Sequence, residues 1–538
     1  MKLRASSSLA HVALLSAVVA GSSVSTACGP SVPPPAAPAP TPPPSAAPAP
    51  IASAAVDPLG PKPEPPAPPP FLPPTPDVFT ATGGMTVWLL ERHQVPIVSC
   101  DLTVPAGASS DPKGKGGLAY ATATMLDEGA GKRGAIALSS AIDDLGARIS
   151  TDTNADASFV SLTVLKRNLE PSFALFSDVV ARPRFEPAEF ARVKDLWQNE
   201  LKSREKDPDA TARVVYRAVL FGADHPYGHP WDGTAATAKT IAIEDVRSFY
   251  AKQWRPDRAT LVCAGDVTKP ELAHLLDESF SSWKAPSTPA PAVVVPDAPK
   301  GPWPKVVLVD RKDAPQAVIA VLRPGVSAAD PAVPGLWRVN DAIGGSFSSR
   351  LNQDLREARG YTYGARSRYS MSRGPGQIVS WANVVTDKTS PALDALLDDL
   401  HKFADGGVTE DEVARTRSQA RGEIVNVYES VEAIAGHLAG DAALGLPPDW
   451  EATTSQKRDA AQRADLDALA KQYYDPTNAT IVVVGPLGVL QAGLDKLGVS
   501  APEMRDSEGN VIAAKAAKPA TKPPGPPAAQ PAPKPVTK

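Results

Sequence analysis

The chain carries two kinds of apolar pattern, one spaced like strands and one spaced like helices. Alternating or continuous apolar runs at 87–104, 259–267 and 479–485 predict strands. Long stretches with helical spacing, such as Pro187 to about Arg204 and Pro391 to about Phe403, lie between them. Because strands and helices fall in separate runs, the pattern predicts an α+β fold with helices packed on one face of a sheet.

The whole order of patterns occurs twice. Arg92 and Pro96 in the first strand region match Arg311 and Pro315, 219 residues further on. Three more anchors follow in the same order: Pro105 with Pro324, Glu189 with Glu412, and Pro256 with Pro476. The offset drifts by only a few residues, so the sequence predicts two tandem homologous domains of about 220 residues each.

The N-terminus has the layout of a secretory signal. Lys2 and Arg4 precede an apolar run from about Leu9 to Ala20, which is shorter than the roughly 20 apolar residues that a spanning helix needs. Small residues then lead to Cys28, and this resembles bacterial lipoprotein processing. We expect residues 1–28 to be a signal peptide with Cys28 as the lipidated residue. The alternative is an ordinary secreted protein in which Cys28 has no role.

Composition sets the other boundaries, since most of the 59 Pro residues lie near the two ends. The predicted segments are a Pro/Ala-rich tether at 29–77, an N-terminal domain at 78–295, a C-terminal domain at 296–503 and a disordered Pro/Ala/Lys tail at 504–538. A net charge of −4 gives no indication of a nucleic-acid partner. We expect an exported protein of the cell envelope, attached to a membrane by its lipid anchor.

Few residues with reactive side chains form a motif. Cys100 and Cys263 lie in strand-like runs, where a cysteine is more often a small buried hydrophobe, and whether they pair stays open. His225 and His229 are four residues apart, but the Pro and Gly around them predict a turn rather than a helix face. The remaining histidines considered are isolated in the sequence: His93, His274, His401 and His437.

Two segments stand out from this background. GGLAYATATMLDEG, from Gly116 to Gly129, has the apolar spacing of a helix, but its middle has no side chain that readily binds a metal or transfers a proton. In the second half, a Gly-rich turn is followed by LNQDLREARGYTY. There we expect Arg356 to end a helix, Gly360 to break it and Tyr363 to enter the next strand.

The order of these blocks over roughly residues 80–500 resembles the insulinase/pitrilysin family of zinc peptidases, which includes the mitochondrial processing peptidases. In that family the first helix carries His-x-x-Glu-His after a Gly-Leu-Ala lead-in. Its two His residues bind zinc and its Glu acts as general base. This chain keeps the lead-in, but Tyr120 and Thr124 occupy the His positions and Ala123 occupies the Glu position.

The family's third zinc ligand, a Glu further along, is matched by Glu200. A catalytic zinc takes three protein ligands, so the resemblance implies that this chain binds no cofactor and has no catalytic residue of its own. Glu200 is then a helix-surface acid or one bonded to a neighbour. Ser150 stands where active members have an Asn that helps to align the substrate, which agrees with a loss of catalysis.

The second half keeps the family's Arg/Tyr pair at Arg356 and Tyr363. In active members these side chains bind the substrate backbone and the oxyanion, a task suited to fixed hydrogen-bond donors. The resemblance therefore implies a substrate-binding role. The alternative places Arg356 in a surface ion pair and Tyr363 in the core.

Some members of the family work as pairs in which one subunit carries zinc. The leading hypothesis is a non-catalytic subunit of a heterodimeric peptidase, with zinc in the partner subunit and a peptide or unfolded protein as substrate. A second hypothesis is a peptide-binding or scaffolding lipoprotein with no role in proteolysis. A third is an active zinc enzyme with unusual ligands.

Overall fold

The computed structural model describes residues 70–81 and 83–512. The predicted signal peptide, Cys28 and most of the predicted tether lie outside these residues, as does the chain after residue 512. Within the described part, no helix is both long enough and apolar enough to cross a membrane.

The first half contains eight strands and eight α-helices among the described residues. Its strands are β1 Asp77–Thr80, β2 Thr86–Glu91, β3 Ile97–Val104, β4 Gly129–Ala130, β5 Arg133–Gly134, β6 Arg148–Thr153, β7 Ser158–Leu165 and β8 Thr260–Gly265. Its helices are α1 Leu118–Thr124, α2 Ala135–Asp144, α3 Leu169–Ala181, α4 Pro187–Arg204, α5 Pro208–Phe221, α6 Ala235–Thr240, α7 Ile243–Gln253 and α8 Lys269–Phe280.

The second half follows the same plan with some differences. Its strands are β9 Val306–Asp310, β10 Gln316–Pro324, β11 Thr362–Ser370, β12 Gln377–Val385, β13 Thr480–Gly485 and β14 Glu503–Met504. Its helices are α9 Val333–Asn340, α10 Thr389–Gly406, α11 Glu410–Val427, α12 Val431–Ala443, α13 Trp450–Ala460, α14 Arg463–Tyr474 and α15 Leu487–Lys496. Two π-helical turns, Asp341–Gly345 and Asn352–Ala358, precede β11.

Each half forms one six-stranded sheet, and five strands have the same order in both sheets; the sixth differs, since β1 runs antiparallel to β2 and β14 runs parallel to β9. The first runs β1-β2-β8-β3-β7-β6, and the second, written in the same direction, runs β14-β9-β13-β10-β12-β11. In both sheets the first and last long strands of the half lie side by side and parallel, β2 with β8 and β9 with β13. The duplication in the sequence is thus a duplication of the fold, and the α+β prediction with two tandem domains is confirmed.

Both faces of each sheet are buried, and a helix of the opposite half covers one of them. Leu89 of β2 packs into the core formed with the helices of its own half, whereas Leu90 packs with Ile434 of α12. In the second sheet, Val307 and Val309 likewise face α5 of the first half. Strands buried on both sides need apolar residues at every position, which explains their continuous apolar runs.

The structure corrects two predicted boundaries. The tail is predicted from residue 504, but Glu503–Met504 pairs with β9 and the Glu508 carboxylate accepts a hydrogen bond from the Ala235 backbone N–H at 2.6 Å. At the other end the tether is predicted through residue 77, yet the Phe71 ring packs against Tyr428 at 5.5 Å and Asp77 begins β1. Strand pairing and packing with distant residues override the composition at both places.

Cys100 and Cys263 form a disulfide between neighbouring strands. They are directly opposed on β3 and β8, with their Cα atoms 4.1 Å apart, and both are fully buried. The sequence left this pairing open, because it depends on which strands become neighbours in the sheet.

Candidate functional site

The helix predicted over Gly116–Gly129 is shorter in the structure, where α1 covers Leu118–Thr124. The Asp111 carboxylate caps its start by accepting hydrogen bonds from the backbone N–H groups of Gly117 and Ala119, both at 2.7 Å. Burial raises the pKa of Asp111, and the neighbouring His229 side chain, 3.4 Å away, opposes this shift. Asp111 and His229 thus fix the helix in place, although neither was singled out in the sequence for this role.

Tyr120 and Glu200 meet in the structure. The Tyr120 hydroxyl donates a hydrogen bond to Glu200 Oε2 at 3.2 Å, which joins α1 to α4. The Tyr120 ring packs against Trp197 and Trp231, with centroid distances of 5.6 and 5.5 Å. Burial and the Glu200 charge raise the pKa of the Tyr120 phenol, so it stays a hydrogen-bond donor at neutral pH.

The side chains of Ala123 and Thr124, at the other two positions of the resemblance, are not metal ligands. Ala123 is buried, with 1% of its surface exposed. The Thr124 hydroxyl donates to the Tyr120 backbone carbonyl at 2.9 Å, one turn back along the helix. Of the positions that correspond to zinc ligands, only Glu200 holds a carboxylate or imidazole, so these residues do not fit a catalytic zinc ion, which takes three protein ligands.

Tyr363 lies on β11, which is an edge strand of the second sheet, and the half-buried Arg356 precedes that strand. Arg356 falls in the π-helical turn, Gly360 has a φ of 63° and β11 begins at Thr362, as the sequence predicts for this segment. Tyr363 is 87% exposed and is therefore not a core residue.

The Arg356 guanidinium lies over the ring of Phe347, 4.6 Å from its centroid, and Phe347 is itself 66% exposed. It also pairs with Glu357 at 3.3 Å, on the exposed surface. The pair involves the guanidinium Nε, and no described residue bonds the two Nη groups, so these groups are available to a ligand. Phe347, Arg356 and Tyr363 are named the Arg/Tyr patch below.

The Gly-rich turn that leads to this patch needs its glycines. A Cβ on Gly344 would stand 2.3 Å from the Ser367 backbone nitrogen, so only glycine allows the turn to approach β11 so closely. The patch and α1 make no direct connection: within residues 70–81 and 83–512, no hydrogen bond, ion pair or ring contact joins Arg356 or Tyr363 to Tyr120 or Glu200.

Ser150 lies on β6, the edge strand of the first sheet.

In the histidine turn that follows α5, both ring nitrogens of His225 are bonded to backbone groups of the protein. His225 Nε2 bonds the Pro296 carbonyl at 3.0 Å, and its Nδ1 accepts from the Tyr227 backbone N–H.

Two family models match the chain. One, described as Insulinase (Peptidase family M16), matches residues 86–222, and the other, described as Peptidase M16 inactive domain, matches residues 240–420. Similar sequences include an uncharacterized zinc protease of Mycobacterium leprae, 26% identical over 353 residues that make up 64% of this chain and 77% of that protein. One from Streptomyces coelicolor is 25% identical over 362 residues, 67% of this chain and 78% of that protein.

Solved structures share the fold at low identity. A peptidase M16 inactive domain from Pseudomonas fluorescens superposes with a TM-score of 0.71 at 22% identity, covering 76% of this chain and 98% of that one. A protease from Helicobacter pylori gives a TM-score of 0.70 at 17% identity and covers 77% of this chain and all of the other.

Proposed function

Since the chain belongs to the insulinase family of peptidases, we propose that it is a non-catalytic subunit that binds substrate for a zinc-bearing homologue. The observation that carries the proposal is the division between its two halves. In the first half, Tyr120 and two Trp rings occupy the region where the family holds its zinc. In the second, Tyr363 is exposed, and the half-buried Arg356 lies over the exposed ring of Phe347, where a ligand can reach both donors.

The Arg/Tyr patch suits the substrate role chemically. A guanidinium and a phenol are donors that can bind peptide carbonyls and the negative charge that develops on the carbonyl oxygen during hydrolysis. Among the residues that the structure describes, no ligand set for zinc lies beside the patch. The patch therefore acts on the active site of a second chain, and the substrate is a peptide or an unfolded protein.

The proposal includes an exported, membrane-anchored location. The leader ending at Cys28 supports it, although this segment lies outside the described residues. The Cys100–Cys263 disulfide adds independent support, because such bonds persist mainly in oxidising compartments outside the cytosol.

The test is reconstitution with a zinc-bearing homologue from the same source. We expect hydrolysis of an unstructured peptide only when both chains are present. The variants Arg356→Ala and Tyr363→Phe should lower kcat/KM by about 100-fold, the size of effect seen when an oxyanion donor is removed. Complex formation, measured by size-exclusion chromatography, should be unchanged.

Two matched controls come from the same segment. Arg359 is exposed and paired with Asp354 at 2.6 Å, and Tyr361 lies one residue before β11. Arg359→Ala and Tyr361→Phe should keep full activity. If peptide binds but no homologue gains activity from this chain, the scaffolding function replaces the proposal.

A further inference from the structure

A cluster of three ligand-type side chains lies far from the Arg/Tyr patch in the sequence. His437 and Asp441 are one turn apart on α12, and Glu451 is in the first turn of α13. His437 Nε2 is 3.2 Å from Glu451 Oε2 and 3.9 Å from Asp441 Oδ2, and all three ligand atoms lie within 4.8 Å of one another. In the described part of the chain, this is the one group of three or more such residues that is close enough to hold a metal ion.

Asp441 is buried beside the His437 imidazole. Its side chain is 6% exposed, and its Oδ2 lies 3.9 Å from His437 Nε2. Burying a carboxylate in this way is costly unless a cation compensates it.

Ser455 and Arg458 hold the Glu451 carboxylate through the oxygen that does not face His437. Its Oε1 accepts a hydrogen bond from the Ser455 hydroxyl at 3.1 Å and lies 3.6 Å from the Arg458 guanidinium. Its Oε2 is left facing His437. An outer partner that fixes one oxygen and leaves the other toward the cluster is the arrangement that supports metal-binding carboxylates.

The cluster opens into a cavity of about 560 Å³ between the two halves. His437 and Asp441 line its wall, and the side chains of Asp156, Arg217 and Arg368 line other parts. The cavity gives an ion a route to the cluster and leaves space for water or an anionic ligand on the ion.

We propose that His437, Asp441 and Glu451 bind a divalent transition-metal ion, with Zn²⁺ as the first candidate. One imidazole nitrogen and two carboxylate oxygens form a set that such ions accept, at bond lengths of about 2.0–2.2 Å. Small side-chain rotations bring the three atoms to these distances around one ion. A fourth position faces the cavity. The site does not depend on the proposed substrate-binding function, and it departs from the expectation that this chain binds no metal.

The competing interpretation is a buried ion-pair cluster in which a protonated His437 pairs with both the Asp441 and the Glu451 carboxylate. The chain offers a control for it. His93 also lies between two carboxylates, but Glu91 bonds its Nε2 at 3.2 Å and Asp266 bonds its Nδ1 at 2.7 Å. These groups lie on opposite sides of the ring and cannot converge on one ion, so His93 reproduces the ion pair without the metal geometry.

The experiment is Zn²⁺ titration of the full chain by calorimetry, after chelator treatment and purification without an oligohistidine tag. We expect one equivalent to bind, and we expect His437→Asn, Asp441→Asn and Glu451→Gln each to weaken binding by at least about tenfold. His93→Asn should bind as the wild type does. Binding that is absent, or that survives all three variants, overturns the proposal.

A measurement on the wild-type protein alone guards against variants that fold poorly. Co²⁺ should give the visible absorption bands of a low-symmetry site with nitrogen and oxygen ligands, and Zn²⁺ should displace it. A Co²⁺ spectrum identical to that of the aqueous ion would also overturn the proposal.

Discussion

At the position of the family's first zinc-binding histidine, the Tyr120 ring packs between Trp197 and Trp231 and its hydroxyl bonds Glu200. The hydrogen bond and the aromatic packing of Tyr120 contribute different amounts to the free energy of unfolding. A hydrogen bond to an exposed carboxylate contributes little net free energy, because water competes for both partners. Aromatic packing contributes more, because it removes apolar surface from water and aligns the rings.

Tyr120→Phe and Tyr120→Ala separate the two contributions. We expect Tyr120→Phe to lower the free energy of unfolding by less than about 1 kcal/mol, the value of one hydrogen bond. Tyr120→Ala should lower it by about 2–3 kcal/mol, because the half-buried ring leaves a cavity between the two Trp rings. Urea unfolding of both variants measures the difference. Equal losses would mean that the bond to Glu200, and not the packing, holds α1 against α4.

At the scale of one element, α1 depends on how its chain enters the helix. Gly117 has a φ of 91°, and a Cβ there would stand 2.7 Å from Trp197 Cζ2. Gly117 is therefore required at this helix start for a reason of packing.

Gly117→Ala and Gly114→Ala form a matched pair. Gly114 has a φ of 80°, but a Cβ there would meet nothing within 4 Å. Gly114→Ala should cost about 1 kcal/mol from backbone strain alone, and Gly117→Ala should cost a further 1–3 kcal/mol or so from the clash with Trp197. Thermal unfolding of the two variants measures this gap. Similar melting temperatures would show that Trp197 moves aside freely.

Several elements could be predicted from the sequence. The helix α4 has the predicted bounds because Pro187 suits its first turn and apolar residues recur on one face down to Leu201. The strands β2 and β8 could be predicted because they are apolar on both faces. The helix of the lead-in was predicted too long, since Met125 and Leu126 continue the apolar spacing and are buried after the helix has ended.

The sites were harder to predict than the elements. The resemblance pointed to Glu200, but nothing in the residue pattern shows that Tyr120 reaches it across 80 positions. The sequence pattern places His437 apart from other ligand-type residues, but in the structure it lies beside Asp441 and Glu451. Asp441 stands four residues after it, and Glu451 joins them only because α13 folds back onto α12. A His and an Asp spaced four apart on a helix were the signal available.

At the scale of the whole molecule, a carboxyl group is buried where the two halves pack together. Asp101 of β3 lies under α12 of the other half, where it is 6% exposed and accepts a hydrogen bond from Ser161. Burial, with a contribution from Glu432, raises the pKa of Asp101 to about 6. In the unfolded chain the same carboxyl titrates near its ordinary value of about 4.

This shift makes the stability of the folded protein sensitive to pH. Between pH of about 4 and about 6 the folded protein holds a proton on Asp101 that the unfolded chain has released, so the free energy of unfolding falls as pH rises through this window. We expect a total loss of about 1–3 kcal/mol. Asp101→Asn keeps a neutral group at every pH and should remove the loss, as urea unfolding across this range would measure.

The exposed Asp387 provides the control, because Asp387→Asn should leave the pH profile of stability as it is in the wild type. If the profiles of Asp101→Asn and the wild type run parallel, the Asp101 carboxyl is ionised in the folded protein across this range, and burial does not raise its pKa.

The helices α5 and α12 each cover the sheet of the opposite half, and this has a consequence for the symmetry of the chain. A single repeat would leave one face of its sheet bare, and a second copy is what supplies the missing cover. The fold therefore has the arrangement of two repeats that exchange one helix, with both repeats joined in one chain. Joining them in one chain frees the two halves from symmetry, so that α1 packs against aromatic rings in one half while the other half carries the Arg/Tyr patch.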